Sequence, residues 1–299
     1  TLSNMEILNH LNIPSPITKV KTAWSESAGI ELHIKRDDLI HPIISGNKWR
    51  KLSGAFAHYS SQAYSSLLTY GGAYSNHLVA TAASCAAMGL ECTGVIRGEE
   101  PKALNPVLIM CKLYGMNLRF VSREAYREIN RTEGIQDGVL HVPEGGASKL
   151  GTKGCQEILK EIDLFHTDKI FVSCGTGTTI SGMSQSLLEV ENPPTIYGIQ
   201  VLKGEGYIAK DIKQEYGITD VVIYDQYHCG GYAKTNGELI EFIKEFARET
   251  GVLLDPIYTG KMMLAIRKLC ENETIKKGEK ILAIHTGGLT GWFGKASEL

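Results

Sequence analysis

A lysine at the predicted start of an amphipathic helix is the side chain of this sequence best suited to covalent chemistry. It follows a turn of small residues, in the run Ser45-Gly46-Asn47-Lys48-Trp49-Arg50-Lys51-Leu52. Backbone amides at a helix start and the neighbouring cations Arg50 and Lys51 disfavour protonation of the Lys48 amine. A neutral lysine amine condenses with carbonyl groups, so the pattern predicts a carbonyl-trapping lysine. The alternative is a solvated surface lysine, which is the commoner occupant of such a position.

A second motif has the composition of a phosphate-binding loop. A predicted strand at 169–173 runs into Cys174-Gly175-Thr176-Gly177-Thr178-Thr179, and a helical pattern follows. Glycines allow close backbone approach, and amides, hydroxyls and the positive end of a helix suit a phosphate. The loop has neither a Walker lysine nor a G-x-G-x-x-G pattern, so we do not expect it to hold a nucleotide in the usual way. Its alternative is an ordinary tight turn between a strand and a helix.

A third candidate is the turn at 71–77, which contains Ser75, Asn76 and His77 between a predicted strand and a predicted helix. Polar groups on this turn could form a site if they meet Lys48 in space. The structural alternative is a helix N-cap at Ser75 or Asn76 and a histidine satisfied within the protein.

Two later segments also place hydroxyl groups at element ends. Tyr258 and Thr259 lie in the segment 254–261, and Thr286 follows the apolar strand at 280–285. Ligands gather at the carboxyl ends of strands in parallel sheets, so these hydroxyls are binding candidates. A packed aromatic ring and a turn-forming threonine are the alternatives.

Short apolar segments alternate with amphipathic helical patterns along the chain, which predicts an α/β fold with mainly parallel sheets. One such helix is predicted at 236–250, ending at Gly251. Nine strands are too many for one compact doubly wound unit, so we expect two sheets that share a cleft. The predicted strands are 32–35, 66–70, 92–96, 117–121, 139–142, 169–173, 196–201, 221–224 and 280–285.

The two expected sheets define two expected domains. The large, cofactor-binding domain comprises residues 1–50 and 152–299, and the small domain comprises residues 51–151. The glycine-rich passage 144–147 is the candidate junction on one side, and Lys48 lies at the other junction.

Composition limits the possible partners. The 299 residues are 43% hydrophobic and 21% charged, with a formal net charge of -2 and no dense basic block. We therefore expect no nucleic-acid or anionic-membrane partner. Seven cysteines occur without a Cys-x-x-Cys pair, which argues against a zinc site and a disulfide framework and favours a reducing compartment.

The expected location is the cytoplasm. No apolar run approaches the roughly 20 residues that span a bilayer. The first six residues lack a basic region followed by an apolar block, as a leader would have, and they do not begin with Met, which indicates a processed or trimmed N-terminus.

A carbonyl-trapping lysine, a phosphate loop, an asparagine-bearing turn and a strand that ends in a hydroxyl are together what pyridoxal phosphate requires. From about Pro14 onwards the chain resembles the pyridoxal-phosphate enzymes of the tryptophan synthase β-subunit fold type. Within them it resembles the 1-aminocyclopropane-1-carboxylate deaminase and D-cysteine desulfhydrase family. The resemblance implies two domains, each with a mainly parallel twisted sheet flanked by helices, a cofactor in the cleft between them, and a homodimer.

The resemblance also implies roles for the cofactor-binding residues. Lys48 would form the Schiff base with the cofactor and shuttle protons, and Lys51 would approach the phosphate. Asn76 would bond the ring oxygen of the cofactor. The phosphate loop would consist of Cys174, Gly175, Thr176, Gly177, Thr178 and Thr179.

Further roles concern the substrate. The turn of Ser75, Asn76 and His77 would face it, with Ser75 binding its carboxylate or a proton in transit. Tyr258 would lie beneath the substrate as a candidate acid or base. The resemblance does not decide between Ser75 and Tyr258 as the acid or base.

Two threonines resemble the desulfhydrase branch more closely than the deaminase branch. Deaminases have a glutamate at the position of Thr259 and an apolar residue at that of Thr286. A hydroxyl leaves the cofactor a weaker electron sink, which suffices when the substrate carries a good β-leaving group. We therefore expect α,β-elimination from a small amino acid such as D-cysteine, giving a keto acid, ammonia and a leaving group such as sulfide.

Other activities stay open, because three residues near the substrate turn differ from the family pattern. Tyr74, Val79 and Ala80 stand where relatives commonly have Gln, Arg and Gln. The alternatives are ring opening of 1-aminocyclopropane-1-carboxylate, racemisation or dehydration of an amino acid, and cofactor binding without turnover.

Overall fold

Six strands form the first sheet of the computed structural model, which describes residues 11–129, 132–164 and 167–298. The strands are β1 (Ile17–Val20), β2 (Glu31–Lys35), β8 (Lys169–Cys174), β9 (Thr195–Gln200), β10 (Val221–Tyr224) and β11 (Lys280–Ile284). Their order is β1-β2-β11-β8-β9-β10, and only β1 and β2 pair antiparallel.

Five strands form the second sheet. They are β3 (Ser66–Gly72), β4 (Glu91–Arg97), β5 (Asn117–Val121), β6 (Gly134–Gln136) and β7 (Val139–Val142). Their order is β5-β4-β3-β7-β6, and only β6 and β7 pair antiparallel. The central strands are buried on both faces, as expected for parallel sheets covered by helices.

Helices flank both sheets; some bury one face, whereas those at 76–88, 178–186 and 259–271 are buried over most of their length. Helix α10 is typical: Asn236 caps its first turn, Gly251 ends it in a left-handed conformation, and its apolar face is buried. The helices are α1 (Ala23–Ala28), α2 (Gly46–His58), α3 (Asn76–Met88), α4 (Pro106–Leu113), α5 (Arg123–Glu128), α6 (Lys149–Cys155), α7 (Glu157–Lys160), α8 (Thr178–Ser186), α9 (Tyr207–Tyr216), α10 (Gly237–Thr250) and α11 (Thr259–Glu271).

The predicted α/β class is confirmed, and all nine predicted strands are present. Strands β1 and β6, each of which pairs antiparallel with its neighbour, are not predicted by the sequence pattern. Strand β1 is mostly exposed at the sheet edge, and β6 has three residues, so neither has the apolar run that marks a central strand. The boundaries of the two domains stay a prediction, and residues 1–10 lie outside the described part.

Helices α2 and α6 meet at two glycines. A Cβ atom on Gly54 would lie 2.0 Å from the Leu150 carbonyl oxygen, and one on Gly154 would lie 1.9 Å from that of Arg50. Any side chain at these glycines would therefore force the helices apart. Helix α2, whose first turn contains the candidate cofactor lysine Lys48, is thus packed backbone to backbone against α6.

A buried ion cluster fixes the other face of α2. The Arg50 guanidinium donates to both carboxylate oxygens of Asp37 and to both of Glu161, and Lys35 Nζ donates to Glu161 Oε2 at 2.6 Å. Lys35 and Asp37 are fully buried, and Arg50 is 2% exposed. Two cations and two carboxylates balance one another, which is how buried charges are tolerated.

Over the described residues, no helix is long and apolar enough to cross a membrane. No group of three or more potential metal-binding side chains occurs in this part of the chain. The seven cysteines are all free.

Candidate active site

A cavity of about 320 Å³ lies at the carboxyl ends of β3, β4 and β8, between the two sheets. This is the edge at which parallel sheets bind ligands. Most of the residues singled out in the sequence line it: Lys48, Lys51, Ser75, Asn76, His77, Cys174, Gly175, Thr176, Gly177, Thr179 and Tyr258. Thr286 lines a small adjoining cavity together with Lys48, Asn76 and Tyr258.

Lys48 lies in the first turn of α2, and its side chain is partly exposed to the cavity. The pKa of Lys48 is lowered to about 7, chiefly by desolvation and also by the positive charge of Lys51, while Cys155 and Asp255 oppose the shift. A substantial fraction of the Lys48 amine is therefore neutral at neutral pH. Only the neutral amine can attack a carbonyl group.

The backbone at position 46, the first residue of α2, requires a glycine. Gly46 has a φ of +62°, and a Cβ atom there would lie 1.9 Å from the carbonyl oxygen of Thr286. The Asn47 amide donates to the same oxygen at 3.3 Å. The lysine turn is thus fixed against the end of β11, on the first sheet.

The predicted phosphate loop connects β8 to α8, whose first residue is Thr178. Asn47 Nδ2 donates to Thr179 Oγ1 at 3.0 Å, which joins the loop to the lysine turn. Thr178 does not line the cavity; it is fully buried, and its hydroxyl shares a hydrogen bond of 2.9 Å with that of Thr176. Thr178 therefore stabilises the loop through its bond to Thr176 and does not face the cavity.

Lys51 lies one turn after Lys48 and reaches the opposite wall, where its Nζ donates to the Gly145 carbonyl oxygen at 3.2 Å. Burial lowers the pKa of Lys51. An anion bound nearby would reverse this effect by favouring the charged ammonium.

The turn before α3 both caps that helix and lines the cavity. Ser75 is the N-cap of α3, and its Oγ accepts from the Leu78 amide at 3.4 Å. Asn76 Nδ2 donates to the Gly288 carbonyl oxygen at 3.2 Å, and its Oδ1 accepts from Thr290. One N–H of the Asn76 amide is left to donate into the cavity.

His77 is buried, and its hydrogen bonds determine its tautomer. Thr69 Oγ1 lies 2.8 Å from His77 Nε2 and 2.9 Å from the Val142 carbonyl oxygen. A carbonyl only accepts, so the single hydroxyl proton goes to Val142 and His77 Nε2 is the protonated nitrogen. Burial, Lys48 and Lys51 hold the pKa of His77 well below its usual value. His77 is a neutral imidazole whose Nδ1 has no partner among the described residues.

Asp255 organises the segment that carries Tyr258. The carboxylate is fully buried, and its Oδ1 accepts from the amides of Ile257 and Tyr258 at 2.8 Å. Its Oδ2 accepts from the Thr259 amide at 2.9 Å and from the Thr259 hydroxyl at 2.8 Å. Burial raises the pKa of Asp255, and these hydrogen bonds oppose the rise.

Tyr258 lines the cavity with its hydroxyl 3.4 Å from that of Tyr232. Burial and the neighbouring Tyr232 raise the pKa of Tyr258 well above its usual value, so its phenol is protonated at neutral pH. Thr259 does not line either cavity: it is fully buried and bonded to Asp255. Thr286 is therefore the one of these two threonines that lines a cavity beside Lys48.

Comparison with known proteins places the chain in an enzyme family. The model of the family "Pyridoxal-phosphate dependent enzyme" matches residues 9–287. The chain belongs to this family of enzymes.

Relatives within the family carry the names of deaminases and desulfhydrases. A Thermotoga maritima protein provisionally named a 1-aminocyclopropane-1-carboxylate deaminase is 31% identical over 96% of this chain and 97% of its own length. The Arabidopsis thaliana bifunctional D-cysteine desulfhydrase/1-aminocyclopropane-1-carboxylate deaminase, mitochondrial, is 30% identical over 96% of this chain and 79% of its own length. The crystal structure of an ACC deaminase homologue matches with a TM-score of 0.77 and 31% identity, covering 95% of this chain and 92% of that one.

The cavity fits pyridoxal phosphate. Two of the residues that line it, Ser173 and His77, have a buried side-chain atom, Oγ and Nδ1 respectively, that lacks a hydrogen-bond partner in the described part of the chain. Buried polar atoms are normally paired, so these two indicate a polar ligand. The loop at 175–179, the amides at the start of α8 and Lys51 suit its phosphate, and Lys48 suits its carbonyl group.

Four residues of the site were missed or undervalued in the sequence. In the sequence Asn47 is only a part of the lysine motif, and Ser173 is only the end of a predicted strand, so neither has a role of its own. Asp255 lay in the segment 254–261 without an assigned role, although a buried Asp-Pro pair before a helix is a capping signal. Arg97 had no local signal, because only the pairing of β3 with β4 brings it to the cavity.

Proposed function

We propose that this protein catalyses α,β-elimination from a small amino acid of the D-cysteine type. The products would be a keto acid, ammonia and the leaving group, which is sulfide for cysteine. The observation that carries the proposal is the position of Thr286, which lines the small cavity together with Lys48, Asn76 and Tyr258. A neutral hydroxyl at this point favours substrates that already carry a good leaving group.

A second observation agrees with a weak electron sink. Among the residues that the structure describes, Glu144 is the only carboxylate that lines the larger cavity, and it lies beside Arg97. The buried Asp255 carboxylate directs its oxygens to residues 257–259. Neither carboxylate supports a strongly protonated cofactor ring, which ring opening of a cyclopropane would need.

Each residue has a definable part in this reaction. Pyridoxal phosphate, when bound, supplies electron withdrawal at the carbon that bears the amino group. Lys48 would hold the cofactor and, with a pKa near 7, could take up the proton from that carbon. Lys51 and the loop at 175–179 would bind the phosphate, and the free N–H of Asn76 would bind the ring oxygen.

Proton delivery to the leaving group is best assigned to Tyr258. Its raised pKa keeps the phenol protonated, so Tyr258 can donate a proton and is a poor base at neutral pH. Ser75 would contact the substrate carboxylate or relay a proton, since its hydroxyl hydrogen is still free to donate while Oγ caps α3. Sulfide then leaves with this proton, and the released aminoacrylate takes up water to give the keto acid and ammonia.

Ring opening of 1-aminocyclopropane-1-carboxylate is the second candidate. Its support is the bifunctional Arabidopsis relative, whose name combines both activities. That reaction would yield a keto acid and ammonia without sulfide.

The test is a product assay on the purified, cofactor-loaded protein. With D-cysteine we expect pyruvate, ammonia and sulfide in equal amounts, and none of them from Lys48→Ala. The matched control is Lys102→Ala, at an exposed lysine outside the cavity, which should keep wild-type activity.

Other products would select another reaction. A keto acid from 1-aminocyclopropane-1-carboxylate but no sulfide from D-cysteine would replace elimination by ring opening. A keto acid only from serine, or a loss of optical activity without a keto acid, would indicate dehydration or racemisation. Normal visible absorbance of bound cofactor with no product from any amino acid would indicate binding without turnover.

We also propose that the protein is a homodimer in a reducing compartment such as the cytoplasm. Family resemblance supports the dimer, and seven free cysteines support the compartment. Light scattering of the purified protein would give the mass of one chain, 32.8 kDa, or twice that value.

A further inference from the structure

Arg97 is a cation of the cavity to which no role has been given. It is the last residue of β4, where it pairs in register with Gly72, the last residue of β3. One guanidinium nitrogen lies 3.3 Å from the position that a Cβ atom on Gly72 would occupy. The guanidinium therefore lies at the start of the turn at 72–77, which faces the substrate.

Arg97 is held in this place without being buried. Its guanidinium carbon lies 5.5 Å from the centre of the Tyr126 ring. Its Nη1 lies 3.8 Å from Glu144 Oε1, beyond hydrogen-bond distance, and 44% of the side chain is exposed. Exposed ion pairs of this kind contribute little to stability, so structural support is a weak reason for an arginine here.

The charges in the cavity leave Arg97 available for the substrate. Lys48 is assigned to the carbonyl group of the cofactor and Lys51 to its phosphate. Every amino-acid substrate brings one more anion, its carboxylate. Arg97 is the remaining cation that lines the cavity in the described part of the chain, and a guanidinium binds a carboxylate through two parallel hydrogen bonds.

We propose that Arg97 binds the carboxylate of the amino-acid substrate at the mouth of the cavity, beside the turn at 72–77. The inference rests on the proposed function only in requiring an amino-acid ligand. Glu144 competes for the same guanidinium, so binding of a carboxylate must loosen the pair of Arg97 and Glu144.

The experiment compares two ligands that differ by a carboxylate. D-Alanine and ethylamine share an amine and a methyl group, and neither carries a leaving group. Their dissociation constants for the cofactor-loaded protein are measured by calorimetry and by the change in visible absorbance. We expect Arg97→Gln to weaken D-alanine about tenfold and ethylamine less than about twofold.

Three further variants sharpen the result. Arg97→Lys keeps the charge but loses the two-pronged geometry, so it should recover part of the D-alanine affinity. Glu144→Gln removes the competing carboxylate and should tighten D-alanine about twofold. Arg127→Gln, on the exposed helix α5, is the control and should change neither ligand.

Equal weakening of both ligands, or unchanged D-alanine binding in Arg97→Gln, would overturn the assignment. The proposed reaction can fail separately: selective loss of D-alanine binding, with no sulfide from D-cysteine, keeps Arg97 and rejects elimination. Sulfide release from D-cysteine together with unchanged D-alanine binding in Arg97→Gln keeps elimination and rejects the role of Arg97. If the wild-type protein binds neither D-alanine nor D-cysteine, both proposals are wrong.

Discussion

The Asp255 backbone and carboxylate hold the Thr259 hydroxyl from two sides. Thr259 Oγ1 donates to Asp255 Oδ2 at 2.8 Å and accepts from the Asp255 amide at 2.9 Å. Both residues are fully buried. The hydroxyl proton is therefore used within the protein, and the pair fixes the backbone on either side of Tyr258.

Replacement of Thr259 by Val should lower stability while leaving the cofactor bound. The change removes two hydrogen bonds and leaves a buried carboxylate with one donor fewer, which should lower the free energy of unfolding by about 1–3 kcal/mol. Thr259→Ser keeps the hydroxyl and should cost less than Thr259→Val. Urea unfolding measures both, and loss of cofactor absorbance at unchanged stability would show instead that Thr259 faces the cofactor.

Cofactor loading should depend on pH through the amine of Lys48. Its pKa is lowered to about 7, so the attacking neutral form increases as pH rises through 7. The rate at which apoprotein gains visible absorbance after addition of pyridoxal phosphate should rise to a plateau above about pH 8. A rate that keeps rising towards pH 10 would mean that Lys48 has the pKa of an ordinary exposed lysine.

Gly46→Ala should be far more disruptive than the same change at Gly89. Both glycines have positive φ values, +62° and +65°. A Cβ atom at Gly46 would overlap the Thr286 carbonyl oxygen, whereas no atom lies within 4 Å of one at Gly89. We expect a loss of about 1–2 kcal/mol at Gly89 and more than about 3 kcal/mol at Gly46, measured by urea unfolding. Similar losses at both positions would show that the lysine turn can move away from β11.

Acid should weaken the ion cluster through Glu161. Burial raises the pKa of this carboxyl, but hydrogen bonds from Arg50 and Lys35 outweigh it, so the folded-state pKa lies below 4.5. A lowered folded-state pKa gives stability that is present above 4.5 and is lost as pH falls through the folded-state value.

Glu161→Gln removes this titration. The variant should be less stable at neutral pH by about 3 kcal/mol, because Arg50 and Lys35 lose a buried partner. Its thermal midpoint should then fall less steeply than that of the wild type between about pH 5 and pH 3. Glu157→Gln, at an exposed position of α7, is the control. If the thermal midpoints of wild type and Glu161→Gln fall in parallel with pH, protonation of Glu161 does not change the stability.

Sequence patterns were sufficient for the elements that carry a local signal. The central strands are continuous apolar runs, and α10 has both a cap and a terminal glycine, so its limits at 237–250 lie within one residue of those expected. The edge strands β1 and β6 were not predicted, because a strand that pairs at a sheet edge needs little apolar character. Lys48 and the loop at 174–179 could be selected by motif, since the turn and the helix start are local, and both line the cavity.

Side-chain direction was beyond the sequence. Thr178 and Thr259 belong to the right segments, but their hydroxyls turn to Thr176 and Asp255 within the protein. The partner that each hydroxyl finds depends on tertiary packing, which no local pattern encodes. For the same reason Arg97 and Glu144, which are 47 positions apart, could not be recognised as a pair.

The bonds that close the cavity also bear on how the chain folds. Asn47 binds Thr179, 132 positions away, and Asn76 binds Gly288, 212 positions away. Contacts between such distant positions form late, after local helices and neighbouring strands. The binding site thus exists only in the finished structure, and a ligand with no affinity for the unfolded chain stabilises that structure alone. During refolding, the visible colour of bound cofactor would therefore appear after the helical signal and mark the final step of assembly.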